Sequence, residues 1–186
     1  MTKSKKIAFI SFMALASLLL SSCGGGSSSN SSSNTSTSTE GGSKEDLVND
    51  PKVEAQASGG FDNAITTPDG NSFTLSSPTT FTPGKFASGQ VPGQTFNRFT
   101  VTVKNGGSSP LELYALIVKG STSGGECVDI FDGDNKIDGA PQDALAAGTS
   151  LSFNWALSCP GKSGADLKVV LLNGETGLIE AKGKLA

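Results

Sequence analysis

The chain has 186 residues, 14 Lys and Arg against 17 Asp and Glu, and a net charge of −3 at pH 7. A negative chain lacks the basic surface typical of nucleic-acid-binding proteins, so we predict no nucleic-acid partner. Histidine is absent, which removes the commonest general base and metal ligand. Together these features predict a protein that is not an enzyme and has no cofactor, calcium excepted as discussed below.

The amino-terminal segment has the pattern of a signal peptide. Three lysines (Lys3, Lys5, Lys6) precede an uncharged apolar run of 14 residues, Ile7 to Leu20. A membrane-spanning helix needs about 20 such residues, whereas this length is typical of a signal-peptide core. A buried core helix ending at Cys23 is the alternative, but such a helix should be amphipathic. We therefore predict a signal peptide over residues 1–22.

The residues Leu20-Ser21-Ser22-Cys23 resemble the lipobox of bacterial lipoproteins, a branched apolar residue and two small residues before a cysteine. The resemblance implies that a diacylglycerol is attached to the Cys23 sulfur and that the chain is cleaved before it. Two or more acyl chains anchor a protein stably to a membrane. We expect a lipid-anchored protein on the extracytoplasmic face of the cell membrane, or of the outer membrane or in the periplasm of a Gram-negative host.

Residues 23–60 are predicted to form a disordered tether after the lipidated cysteine. Gly24 to Ser43 contains no apolar side chain beyond threonine methyl groups, so it cannot bury enough surface to offset the entropy cost of ordering. The remaining residues, 61–186, have the size of one domain.

Alternating apolar and polar residues in this domain predict β-strands. In NRFTVTVKN (97–105), Phe99, Val101 and Val103 share one face, and LSFNWALSC (151–159) repeats the pattern. Residues 111–120 and 166–174 are more continuously apolar, which favours central strands covered on both sides or strands with a covered edge. Weaker strands are expected in 71–83, 126–131 and 177–185.

These strands, separated by Gly, Pro and Asn turns, predict an all-β fold, an antiparallel immunoglobulin-like β-sandwich. An up-and-down barrel is the alternative. Aromatic side chains are expected to supply the core; they are Phe73, Phe81, Phe86, Phe96, Phe99, Phe153 and Trp155.

A second resemblance covers about residues 72–172. The order SFTLSSPTTF, FTVTVKNGGSSPLEL, an acidic loop, AAGTSLSFNWAL and ADLKVVLL is similar to an immunoglobulin-like domain of unknown function found in surface lipoproteins of Gram-positive bacteria. That domain is related to a small secreted mycobacterial immunogenic antigen. The shared features are the strand end Val101 to Asn105 and the turn Ala147-Gly148. The resemblance implies a fold and a surface location, and no activity.

Two cysteines, Cys127 and Cys159, remain if Cys23 is lipidated. An even number in an exported chain predicts a disulfide, which would stabilise the fold by roughly 3–4 kcal/mol on the chain-entropy model. Free buried thiols are the alternative.

The stretch GECVDIFDGDNKIDGAPQD (125–143) is rich in carboxylates and suggests two interpretations. Asp132, Asp134 and Asp138 could ligate calcium, because hard cations prefer several closely spaced oxygen ligands. The spacing departs from an EF-hand, since Lys136 and Ile137 stand where an oxygen ligand and a glycine are needed. The alternative is a solvated hairpin turn whose residues suit the backbone geometry.

Two functions therefore remain open. The first is a membrane-anchored surface lipoprotein whose sandwich binds a protein or an envelope polymer, with Tyr114 and Arg98 as the side chains to inspect, since these types anchor interfaces. The second is a lipoprotein that binds a small ligand or calcium. A hydrolase built on the acidic loop is a more remote hypothesis, because paired carboxylates must be fixed across a cleft.

Overall fold

The computed structural model describes residues 54–186. The predicted signal peptide, the lipidation site Cys23 and most of the predicted tether lie outside the described residues. In the described part of the chain, no helix is long and apolar enough to span a bilayer.

In the described residues, eleven strands form two sheets. In chain order they are β1 Ala57–Gly60, β2 Ile65–Thr66, β3 Ser72–Leu75, β4 Thr79–Thr80, β5 Thr95–Lys104, β6 Leu116–Thr122, β7 Gly125–Glu126, β8 Val128–Asp129, β9 Ser150–Cys159, β10 Asp166–Asn173 and β11 Thr176–Lys184. Sheet I has the order β1-β11-β10-β6-β7. Sheet II has the order β2-β3-β5-β9-β8, and β4 also pairs with β5. The predicted β-sandwich is confirmed.

The main core lies between the inner faces of the two sheets. Phe99, Val101 and Val103 of β5 are buried there, as the alternation predicts, and they pack with Val169 and Leu171 of β10. Among residues 54–186, all strand pairings but one are antiparallel. The exception is β1, which runs parallel to β11.

Two expectations about the strands need correction. Residues 57–60 are predicted to belong to the tether, but they form β1. The sequence does not reveal this strand, since backbone pairing with β11 needs no alternation of apolar and polar side chains. Strand β6 is covered on one side only, since Ile117 is 41% exposed and Lys119 is exposed while Val118 is buried. Strand β10 follows the same pattern, with Lys168 exposed next to the buried Val169.

A second, smaller core covers part of the outer face of sheet II. Ile130, Ile137 and Ala156 are buried there, packed by Phe81, Ala87 and Phe96. The predicted alternation of β9 therefore fails at both ends of the strand. Leu151 is exposed on the expected inner face, and Ala156 and Ser158 are fully buried on the outer one.

The predicted disulfide between Cys127 and Cys159 is present, with the two Cα atoms 4.3 Å apart. Cys127 lies where the chain passes from β7 of sheet I to β8 of sheet II, and Cys159 ends β9. The bond therefore fixes a crossing between the two sheets.

Candidate functional site

The carboxylate of Asp132 is the centre of the acidic loop. It is 3% exposed and accepts hydrogen bonds from the Gly84 N–H and the Asn135 side-chain amide, both at 2.7 Å. These donors, the Gly84 N–H first, lower the pKa of Asp132 below its usual value. The carboxylate is therefore ionised at neutral pH and ties together two loops that are 48 residues apart in the sequence.

The backbone of the loop closes on itself around Asp132. Asp132 and Ile137 exchange two backbone hydrogen bonds of 2.9 and 3.0 Å. Between them lies a short 3₁₀ turn, Gly133–Asn135, followed by Lys136 in the left-handed region with φ of +56°. This geometry is that of a tight turn stabilised by Asp and Asn side chains.

The calcium interpretation is not supported by this arrangement. Residues 54–186 contain no group of three or more His, Cys, Asp or Glu side chains placed to hold a metal ion. Asp132, Asp134 and Asp138 therefore form no such three-residue group in the described residues, and one oxygen of Asp132 already accepts hydrogen bonds from two internal donors. The hairpin-turn alternative accounts for the observed hydrogen bonds, and calcium binding stays a prediction.

A turn at residues 84–88 is bonded to this loop at both ends. Gly84 donates to Asp132, and Ser88 exchanges two backbone hydrogen bonds with Phe131, of 2.9 and 3.1 Å. Within the turn, the Ala87 N–H donates to the Gly84 carbonyl at 3.1 Å. Since both attachment points are adjacent residues of one loop, the turn is held in a fixed position.

Phe86 lies in this turn and is 85% exposed, so the prediction that it belongs to the core is wrong. Phe131, at one attachment point, is 48% exposed. The Lys85 ammonium lies 5.5 Å from the centre of the Phe86 ring, within range of a cation–π interaction. We call Lys85, Phe86 and Phe131 the Phe86 surface.

Glycines at both ends of the turn are required by close approach. A Cβ on Gly84 would lie 2.9 Å from a carboxylate oxygen of Asp132 and of Asp134. Gly89 has φ of +81°, and a Cβ there would come within 1.8 Å of the Asp129 carbonyl oxygen. A side chain at position 89 would push the turn away from the loop, and one at position 84 would displace the carboxylates of Asp132 and Asp134.

Asp129 is the last residue of β8 and comes two residues before Phe131 of the Phe86 surface. Its carboxylate accepts a 2.8 Å hydrogen bond from the Trp155 indole N–H. Burial raises the pKa of Asp129, and the Trp155 hydrogen bond opposes that rise. Trp155 is buried against the main core, so this pair joins the loop to the sandwich.

The two interface candidates from the sequence do not form one site. Arg98 is half-buried on β5, between Thr79 and Ala156 of the neighbouring strands of sheet II. Tyr114 is 62% exposed in the segment that leads into β6 of sheet I. The Phe86 surface was not predicted, because Phe86 was expected to be one of the aromatic residues of the core. The preceding Pro83-Gly84 was the available signal, since it favours a turn.

The chain matches no protein-family model and no curated protein sequence. Among solved structures, it is similar to the secreted protein MPT63 of Mycobacterium tuberculosis, with 17% identity and a TM-score of 0.49 over 68% of this chain and 96% of that one. A candidate lipoprotein of Bacillus subtilis, YcdA, has 14% identity and a TM-score of 0.48 over 70% of this chain and 39% of that one. With TM-scores below 0.5, we draw no function from these similarities.

Proposed function

We propose that this protein is a lipid-anchored, extracytoplasmic binding module that contacts its partner through the Phe86 surface. In this proposal, Cys23 carries the lipid anchor, the residues before β1 form the tether, and the sandwich presents the Phe86 surface. The partner is a protein or polymer of the cell envelope. The proposal includes neither catalysis nor a cofactor, in keeping with the absence of histidine.

The exposure of Phe86 is the observation that carries this proposal. A phenylalanine that is 85% exposed contributes little to folding, because its ring stays in water. A flexible loop could turn such a ring inward, yet Gly84 and Ser88 are both bonded to the neighbouring loop. Rigid exposed aromatic residues are typical anchors of interfaces, since they lose little entropy on binding.

Two separate features of the chain support the proposed location. Residues 1–23 resemble a lipoprotein signal and its cysteine, and the disulfide between Cys127 and Cys159 suits an oxidising compartment. Between Cys23 and β1 lie about 33 residues, which as a random coil would span roughly 30 Å. Such a tether would let the module search a shell around its anchor.

The proposal is tested by the binding of the chain from Gly24 onward to an envelope fraction of the host. Replacing both rings, in Phe86→Ala with Phe131→Ala, should lower affinity at least about 30-fold, the loss typical of an aromatic hot spot. Tyr114→Ala is the matched control, because Tyr114 is also a large exposed aromatic residue but lies in the segment that leads into β6 of the other sheet.

The control should bind like the unmodified chain, and the double variant should unfold at the same temperature. Equal binding by the double variant and the unmodified chain would refute the proposal. Fluorescence microscopy of a Cys23→Ala variant tests the anchor separately, since loss of membrane retention is expected only if Cys23 is lipidated.

A further inference from the structure

The outer face of sheet I carries a concentration of lysines in an acidic domain. Residues 54–186 contain nine basic and thirteen acidic side chains. Nevertheless, four of the eight lysines project from this one face. They are Lys119 of β6, Lys168 of β10, and Lys182 and Lys184 of β11. Each is exposed. Three carboxylates, of Glu126, Asp166 and Glu180, share the face, so this face is slightly positive in a domain whose net charge is negative.

Two of these lysines oppose each other directly. Lys168 pairs with Lys182 across β10 and β11, and with Ser121 across β10 and β6. Like charges at directly opposite positions of an antiparallel pair destabilise it. Within residues 54–186, ion pairs join Lys182 to Glu180 at 2.7 Å and Lys184 to Asp166 at 2.5 Å, and Lys168 takes part in neither. Unfavourable local choices of this kind concentrate at functional sites.

A concavity of about 270 Å³ lies beside this pair of lysines. Its lining includes Lys168, Lys182, Asp166 and the hydroxyl residues Ser121, Thr122 and Ser123. The Thr122 hydroxyl already donates to the Pro160 carbonyl at 2.6 Å. The Ser121 and Ser123 hydroxyls donate to no other described residue, and the charge of Asp166 is offset by Lys184.

We propose that this concavity binds a phosphate group between the ammonium groups of Lys168 and Lys182, with the Ser121 and Ser123 hydroxyls as further donors. Ammonium groups and hydroxyls are donors that suit a tetrahedral oxyanion. A bound phosphate would turn the Lys168–Lys182 repulsion into two attractions. The phosphate would come from an envelope polymer or a phospholipid head group. This site is independent of the Phe86 surface, which lies in the loops between β4 and β5 and after β8.

The test is a nuclear magnetic resonance titration of the chain from Gly24 onward with inorganic phosphate, against sodium chloride at the same ionic strength. Phosphate should shift the amide signals of residues 121–123, 168 and 182–183, and chloride should not. The double variant Lys168→Gln with Lys182→Gln should lower phosphate affinity at least about tenfold. Lys104→Gln, which removes an exposed lysine of sheet II, should leave that affinity unchanged.

Thermal unfolding gives a second readout, in which Lys168→Gln controls for the general stabilisation of folded proteins by phosphate salts. Phosphate should raise the melting temperature of the unmodified chain, because it binds only the folded state. Without phosphate, Lys168→Gln should melt at a higher temperature than the unmodified chain, since the repulsion is removed. With phosphate, it should gain little further stability.

Two arms identify the source of the phosphate. Binding to soluble polyphosphate assigns an envelope polymer, and binding to phosphatidylglycerol vesicles but not to phosphatidylcholine vesicles assigns a lipid head group. Either result supports the site. It is overturned if chloride reproduces the phosphate shifts, if Lys104→Gln weakens binding as much as the double variant, or if Lys168→Gln keeps the full phosphate response.

Discussion

Reduction of the Cys127–Cys159 bond should destabilise the domain strongly. The bond closes a loop with a sequence separation of 32, so the chain-entropy model predicts a loss of about 3–4 kcal/mol from the free energy of unfolding. Domains of this size have only about 5–15 kcal/mol in total. For a urea slope of about 1–3 kcal/mol per molar, the unfolding midpoint should fall by roughly 2 M.

The assay is urea unfolding of the chain from Gly24 onward with and without a reductant, followed by Trp155 fluorescence. This form lacks Cys23, so Cys127 and Cys159 are its only cysteines. Their reaction with an alkylating reagent, measured by mass spectrometry, reports the redox state in each sample. Two alkylated cysteines in the folded, unreduced protein, or a midpoint that does not move on reduction, would refute the reasoning.

Four further substitutions test other parts of the structure. Asp129→Asn should raise the free energy of unfolding at pH 7 and leave it unchanged near pH 3. The folded pKa of Asp129 is raised, so ionisation of the wild-type carboxyl lowers stability as pH rises above the ordinary pKa. Asparagine carries no charge and still accepts the Trp155 hydrogen bond. Asp132→Asn should lower the free energy of unfolding at pH 7, since the lowered pKa of Asp132 contributes stability above the ordinary value. That stability is lost as pH falls from the ordinary value through the lower folded pKa, and urea titrations at several pH values check both variants. Gly84→Ala should cost about 1–3 kcal/mol through overpacking against the carboxylates, measured by the same urea unfolding. Phe99→Ala should cost about 3–5 kcal/mol in that assay, because the ring is 2% exposed and packs edge-on against Phe61.

The fold was largely predictable because local alternation and global burial agree along most of the chain. Strand β5 shows this best, since Phe99, Val101 and Val103 alternate with polar residues in the sequence and face the core in the structure. The disulfide was predicted from the two cysteines that remain after Cys23 in a chain expected to be exported. By contrast, β1 has no alternation to detect, because its pairing with β11 depends on backbone groups and on small residues such as Gly59.

The candidate sites were harder to predict because both depend on contacts between distant segments. Phe86 has the composition of a core residue, and only the bonds of its turn to Asp132 and Phe131 show that it stays exposed. Likewise, Lys168 and Lys182 are 14 positions apart in the sequence, and their opposition requires the register of β10 with β11. Net charge could not reveal that register, since it averages over all surfaces.

Contact between the Phe86 surface and an envelope partner can be detected by site-specific photo-cross-linking in intact host cells. A photoreactive phenylalanine derivative at position 86 should give a cross-linked product that excess unmodified chain competes away and excess Phe86→Ala chain does not. The same derivative at position 114 should give no such product. Absence of a product from position 86, or equal products from both positions, would contradict the account.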